Sequence, residues 1–153
     1  MKKLFSLCLI CLLAMSTMAQ RASDYVDLGL PSGTLWKSKN EKGMYYTYDE
    51  AVSQFGDKLP TREQFVELLT FCTSTWNGHG YVVKGDNGNS IVLQAAGCYR
   101  NRDGRVRDVG TVGNYWSSTL CDSANARYLN FYSGGVHMYC CTRREGLSVR
   151  LVQ

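Results

Sequence analysis

Asn114-Tyr115-Trp116-Ser117-Ser118-Thr119 and Gly146-Leu147-Ser148-Val149-Arg150-Leu151-Val152-Gln153 bracket the stretch whose reading decides the fold. The second segment alternates, with Leu147, Val149 and Leu151 on one side and Ser148 and Arg150 on the other, the period of a β-strand. Inside the bracket, Tyr128-Leu129-Asn130-Phe131 reads as a strand with Leu129 and Phe131 on one face. Val136 and Met138 mark its partner across the Ser133-Gly134-Gly135 turn. Around these apolar positions the run from Cys121 to Arg144 is rich in Tyr, Cys, Ser, Arg, His and Thr, a composition of neither a packed core nor a simple loop. The ordered ends read as framework and the irregular middle as a surface.

Upstream, Tyr25 to Leu30 reads as a first strand, turned by Pro31-Ser32-Gly33 and resumed at Thr34-Leu35-Trp36. Asn40 to Gly43 reads as a loop. Thr47-x-x-Glu50 is a capping box, and Tyr48, Ala51, Val52 and Phe55 fall on one face of the helix it opens. Gly56 ends that helix. Thr61 and Gln64 repeat the box ahead of Phe65, Leu68, Leu69 and Cys72, which places Cys72 on a core face as a small hydrophobe. After Thr73 the period changes to two. Tyr81-Val82-Val83 and Ser90 to Leu93 flank Gly85-Asp86-Asn87-Gly88, a hairpin signal. Ala95-Ala96-Gly97 is small enough for close backbone packing, and Cys98-Tyr99-Arg100 and Arg105-Val106-Arg107 surround a tight Asp103-Gly104 turn. Two early helices followed by short strands define an α+β domain.

The chain has 153 residues, enough for one domain that buries roughly 70% of its unfolded surface. Lys2 and Lys3, the apolar Leu4 to Met15 and the small-residue Thr17-Met18-Ala19 read as a signal peptide over residues 1–19, leaving 20–153 as the mature domain and export as its expected fate: periplasmic, secreted or cell-surface associated. No stretch has the roughly 20 apolar residues of a transmembrane helix. Without the two leader lysines the formal charge falls from +4 to +2, too small and dispersed for a nucleic-acid partner. Five cysteines remain, Cys72, Cys98, Cys121, Cys140 and Cys141, an odd number that leaves at least one thiol unpaired or paired between molecules. These five include no Cys-x-x-Cys, and His79 and His137 lack ligand spacing, so no zinc site is expected.

The segments Tyr25 to Trp36, Leu59-Pro60-Thr61, Gly88-Asn89-Ser90-Ile91, Ala95-Ala96-Gly97, Tyr115 to Thr119 and Gly146 to Arg150 together resemble the Fibrobacter succinogenes major paralogous domain, across almost all of the mature chain. That resemblance implies a C-type-lectin-like fold: two helices, mixed short-stranded sheets, and first and last strands paired. Some proteins of this kind are variable products of diversity-generating retroelements, in which adenine-directed mutagenesis scatters Asn codons near the C-terminus into Tyr, Ser, Cys, His, Asp, Arg, Gly and Thr. By that resemblance the ligand-binding positions are Cys121, Asp122, Ser123, Arg127, Tyr132, His137, Tyr139, Cys140, Cys141, Thr142 and Arg143. Met138 and Glu145 do not follow simply from Asn codons.

The expected function is therefore a ligand-binding or adhesion domain with an external protein or glycan as partner, together with other surface proteins. Tyrosine, arginine and small polar residues are the composition of antibody paratopes. The alternative is a structural subunit of a surface assembly. Catalysis is not expected, because Cys140 and Cys141 lack a demonstrated neighbour to lower a thiol pKa, and adjacent cysteines do not readily close an unstrained disulfide with each other. No cofactor or metal is expected: the calcium-lectin signatures Glu-Pro-Asn, Gln-Pro-Asp and Trp-Asn-Asp are absent, and Asp103, Asp108 and Asp122 read as turn formers. Tyr139, Cys140 and Arg143 are expected to tolerate replacement by serine.

Overall fold

The computed structural model describes residues 24–153, so the expected leader over residues 1–19 lies outside the described residues. Ten strands and two α-helices follow one another: β1 (Tyr25–Asp27), β2 (Leu35–Lys37), α1 (Tyr48–Phe55), α2 (Arg62–Phe71), β3 (Cys72–Trp76), β4 (Gly80–Gly85), β5 (Ser90–Gln94), β6 (Cys98–Arg100), β7 (Arg105–Arg107), β8 (Val112–Leu120), β9 (Asn125–Tyr132) and β10 (Gly135–Thr142). They form an α+β domain of mostly strand character, with small antiparallel sheets β1-β2, β3-β4-β5, β6-β7 and β10-β9-β8. Among the described residues, parallel pairing is confined to isolated bridges, Gly97 with Gly113 and Tyr115 with Ser148.

Both capping boxes form as the sequence dictates. Thr47 accepts from the Glu50 amide while the Glu50 carboxylate takes the Thr47 amide, and Thr61 and Gln64 do the same. Each box satisfies two amides that a helix start leaves without partners. The apolar face of α1 is narrower than its spacing indicates: Tyr48 and Ala51 are buried, but Val52 is 39% exposed. Cys72 is buried where α2 ends, and β3 departs from that residue without a loop.

The β8-β9-β10 sheet stands between two cores, and the period-two alternation of its strands supplies both. Tyr115, Leu129 and Phe131, with Val136 and Met138, pack on one side with Trp36, Phe65, Leu68 and Val83. Trp116 and Ala126, with Tyr128 and Cys141, pack on the other with Tyr48, Leu59, Cys98 and Leu147. Gly113 has no room for a side chain, since a Cβ there would meet the Phe131 ring at 2.0 Å.

The C-terminal segment threads between these layers. The Leu35 and Lys37 amides donate to the Gln153 and Leu151 carbonyls, so β2 pairs with the chain end. Leu147 bridges Tyr46, Gly146 bridges Tyr99 and Ser148 bridges Tyr115. The segment is thus a row of single bridges to several elements and not the regular strand its alternation predicts. Ser148 and Arg150 are both 1% exposed, because neighbours cover both sides of the segment.

Candidate binding surface

The expected site residues lie in three places. The first is the sheet face that carries Trp116. Tyr139 of β10 lies opposite Tyr128 of β9, which lies opposite Trp116 of β8, so residues of one face line up across the strands. His137 and Tyr139, two apart on β10, stack with ring centroids 5.4 Å apart and planes at 28°. Tyr132 continues the row 6.4 Å from His137, and Tyr128 joins it 6.4 Å from Tyr139. Tyr128 meets the buried Trp116 edge-on at 6.3 Å. Outer rings face solvent, with Tyr132 42% and Tyr139 49% exposed, while the inner end is sealed in the core. Asn130, between the two ends, donates to the Asn114 side chain at 2.9 Å, and Asn114 donates to the Gly97 carbonyl.

The second group closes one end of the sheet. Asp122 receives the Ala124 and Asn125 amides and the Asn125 side chain. It is a turn former, and the Asn125 side chain leads the bonds that hold its carboxyl below the usual range. Arg143 spends its fork on Asp49 and the Ser123 carbonyl and lies 5.3 Å over the Tyr48 ring. Asp49, Ser123, Thr142, Arg143 and Arg144 line an open cleft here.

The third group corrects the expectation for two cysteines. Cys121 and Cys140 form a disulfide across 19 residues. Cys140 lies on β10 opposite Arg127 of β9, and residues of this register share the face of Leu129 and Met138, the reverse of the aromatic row. Cys121, Cys140 and Arg127 therefore do not join Tyr132, His137 and Tyr139 in one surface. Cys140 is a crosslink, so its replacement by serine is not neutral.

Cys141 shares the aromatic face but turns into the core. Burial pushes its thiol up to about 12, with Glu145 and Cys98 adding to the effect. Cys72 and Cys98 are raised too, again by burial first. Thiols shifted upward stay protonated at neutral pH and are poor nucleophiles. Among the described residues no group of three or more His, Cys, Asp or Glu converges to hold a metal ion.

Sequence reading did not single out a further cleft, lined by Arg100, Arg102, Asp103, Arg107 and Glu145 on the β6-β7 hairpin and beyond β10. Its signal was available, four arginines within eight residues around Asp103-Gly104. Arg107 pairs with Asp103 at 2.5 Å, and the Glu145 carboxylate takes the Asn101 amide at 3.1 Å. Gly97 seats this hairpin: its φ is 72°, and a Cβ would meet the Arg107 carbonyl at 2.0 Å.

The molecule is thus a mostly-strand α+β domain with an exposed aromatic row on its last sheet. The model of a family described as a domain of unknown function, DUF8237, matches residues 81–152, which include the whole of that sheet. No curated protein and no solved structure matches the chain. Among the described residues no helix is long and apolar enough to cross a membrane.

Proposed function

We propose that this is an exported ligand-binding domain of C-type-lectin-like fold, displaying a variable surface of the kind diversified by retroelements, as in the Fibrobacter succinogenes major paralogous domains it resembles. The observation that carries the reading is the aromatic row, in which Tyr132, His137 and Tyr139 face solvent while Tyr128 and Trp116 anchor the same row in the core. Rigid amphipathic rings of this kind bind with little rotamer entropy to lose. Two exceptions to the Asn-codon pattern support the reading. Met138 packs against the core and Glu145 holds the Asn101 amide, so both serve as framework. The expected pairing of first and last strands falls one strand along, since the chain end meets β2 and β2 meets the first strand β1, an arrangement in keeping with the proposed lectin-like topology.

The ligand is an external protein or glycan. A glycan and protein array probed with the intact domain and with Y132A/H137A/Y139A tests this: wild-type hits should vanish in the variant while its melting temperature stays close to wild type. Hits retained by the variant would refute the surface assignment. A packing role in a surface assembly is the second reading, favoured by the uncharged outer strand of the same sheet.

A further inference from the structure

β10 is the outer strand of the β10-β9-β8 sheet, and the opposite side of that sheet fixes which of its backbone groups point outward. The Trp116 amide donates to the Ser148 carbonyl, and the Asn114 carbonyl accepts from the Ser148 amide. These β8 groups therefore point away from β9. Because direction alternates along an antiparallel strand, Gly113 and Tyr115 bond to Phe131 and Leu129 opposite them, and Asn130 and Tyr128 bond to His137 and Tyr139. The amides and carbonyls of Val136, Met138 and Cys140 are left facing outward, and no hydrogen bond among the described residues reaches them.

An open edge of this kind is a template for another strand, and proteins ordinarily blunt it with charge, proline or a cover. Three of the other edges show such devices. Arg150 takes the Val92 carbonyl and Tyr115 the Gln94 carbonyl along β5. β2 is paired with the chain end, and β7 carries Arg105 and Arg107. β3 is uncharged but only five residues long, with no exposed aromatic pair for a partner to extend. β10 runs eight residues, Gly-Val-His-Met-Tyr-Cys-Cys-Thr, without a charge or a proline.

We propose that β10 is a homodimer interface, at which a second copy of this chain adds its own β10 antiparallel and joins two three-stranded sheets into one of six. The outward groups are spaced evenly about Met138, so the strand is self-complementary across a twofold axis there. Met138 then faces the partner's Met138, and Val136 faces the partner's Cys140, as hydrogen-bonded pairs. His137 faces the partner's Tyr139 in the closer, non-hydrogen-bonded positions. A twofold at Cys140 would instead bring Arg143 and Arg144 over the strand, and one at Val136 would shorten the overlap. Of these three axes the one at Met138 overlaps the uncharged strands most, and an axis at Tyr139, equal in overlap, would set Gly135 against the partner's Arg143. The two aromatic rows become one, so each copy contributes residues to the ligand surface of the other; this last consequence rests on the proposed function, whereas the pairing does not.

Sedimentation equilibrium on the purified protein tests the interface, with thermal melts as a check on folding. The wild type should be a dimer. H137K/Y139K sets like charges opposite one another twice and should weaken dimerisation by about tenfold or more. H137K/Y139E changes the same exposed positions but sets opposite charges face to face, and should recover the dimer. A monomeric wild type overturns the proposal, as does a dimer indifferent to H137K/Y139K or one lost equally in both variants. A monomer that keeps its array hits would overturn the pairing alone and leave the ligand-binding reading standing.

Discussion

Arg150 and Asn40 lie 110 residues apart and share two hydrogen bonds, from Nε and Nη2 of the guanidinium to Oδ1 at 2.9 and 2.6 Å. The same guanidinium donates to the carbonyls of Lys37, Ser38 and Val92. One buried side chain thereby ties the loop after β2 and the strand β5 to the C-terminal segment. Burial lowers its pKa, with Tyr115 partly offsetting that, and neutral oxygens stand where a carboxylate would ordinarily compensate a buried charge.

Replacing Arg150 should therefore cost about 3 kcal/mol or more, because R150A leaves the Asn40 side chain and three carbonyls short of a donor. R150K should rescue little of this, since an ammonium cannot reproduce the planar fork. Denaturant midpoints of the two variants against wild type are the check.

Trp116 is fully buried and donates Nε1–H to the Tyr46 carbonyl at 2.7 Å. W116A opens a large cavity beside Tyr48 and Tyr128 and leaves that carbonyl only the Leu147 amide, so a loss of about 3 to 5 kcal/mol is expected, mostly from the cavity. Weaker near-ultraviolet dichroism and a lower melting temperature would accompany it.

The Cys121–Cys140 bridge closes a loop of 19 residues, and constraint of the unfolded chain by a loop of that size is worth about 3 kcal/mol. C121S/C140S should fold but melt earlier than wild type. Reducing agent should lower the wild-type melting temperature and leave the variant's unchanged.

Cys141 and Tyr128 are both pushed up to about 12, burial being the first cause for each. Their folded values exceed the unfolded ones, about 9 for the thiol and 10 for the phenol. The stability they confer is complete below the unfolded values and is lost as pH rises through the folded ones. Unfolding midpoints should hold level to about pH 8 and fall as pH rises from about 9 toward 12. C141S should flatten the first part of that decline. The free thiols of Cys72, Cys98 and Cys141 should resist alkylation in the folded protein at neutral pH.

The elements legible in the sequence are those whose causes are local. Thr47 with Glu50 and Thr61 with Gln64 settle two helix starts within four residues each, and the turns at Gly85 to Gly88, Asp103-Gly104 and Ser133-Gly134 settle three hairpins. What escaped is set by distant neighbours. Alternation places Arg150 opposite Leu151, but only Asn40 and Val92, brought from far upstream, make that side an interior. Five cysteines allow many pairings, and only the fold brings Cys121 to Cys140. The surface was legible as a composition and not as a shape: a register irregularity between Trp116 and Leu120 interrupts the pairing there, and Arg127 and Cys140 fall on the reverse of the sheet from His137 and Tyr139. The exposure of Val52 likewise depends on how little of α1 its neighbours cover.

Sequencing this locus across sister isolates tests the central claim most directly, the division of one sheet into fixed framework and variable display. Substitutions should concentrate between Cys121 and Arg144, at adenines, with Tyr132, His137 and Tyr139 among the varied positions and Trp116, Leu129, Phe131, Met138 and Arg150 retained. An invariant interval, or changes spread evenly over framework and surface, would contradict it.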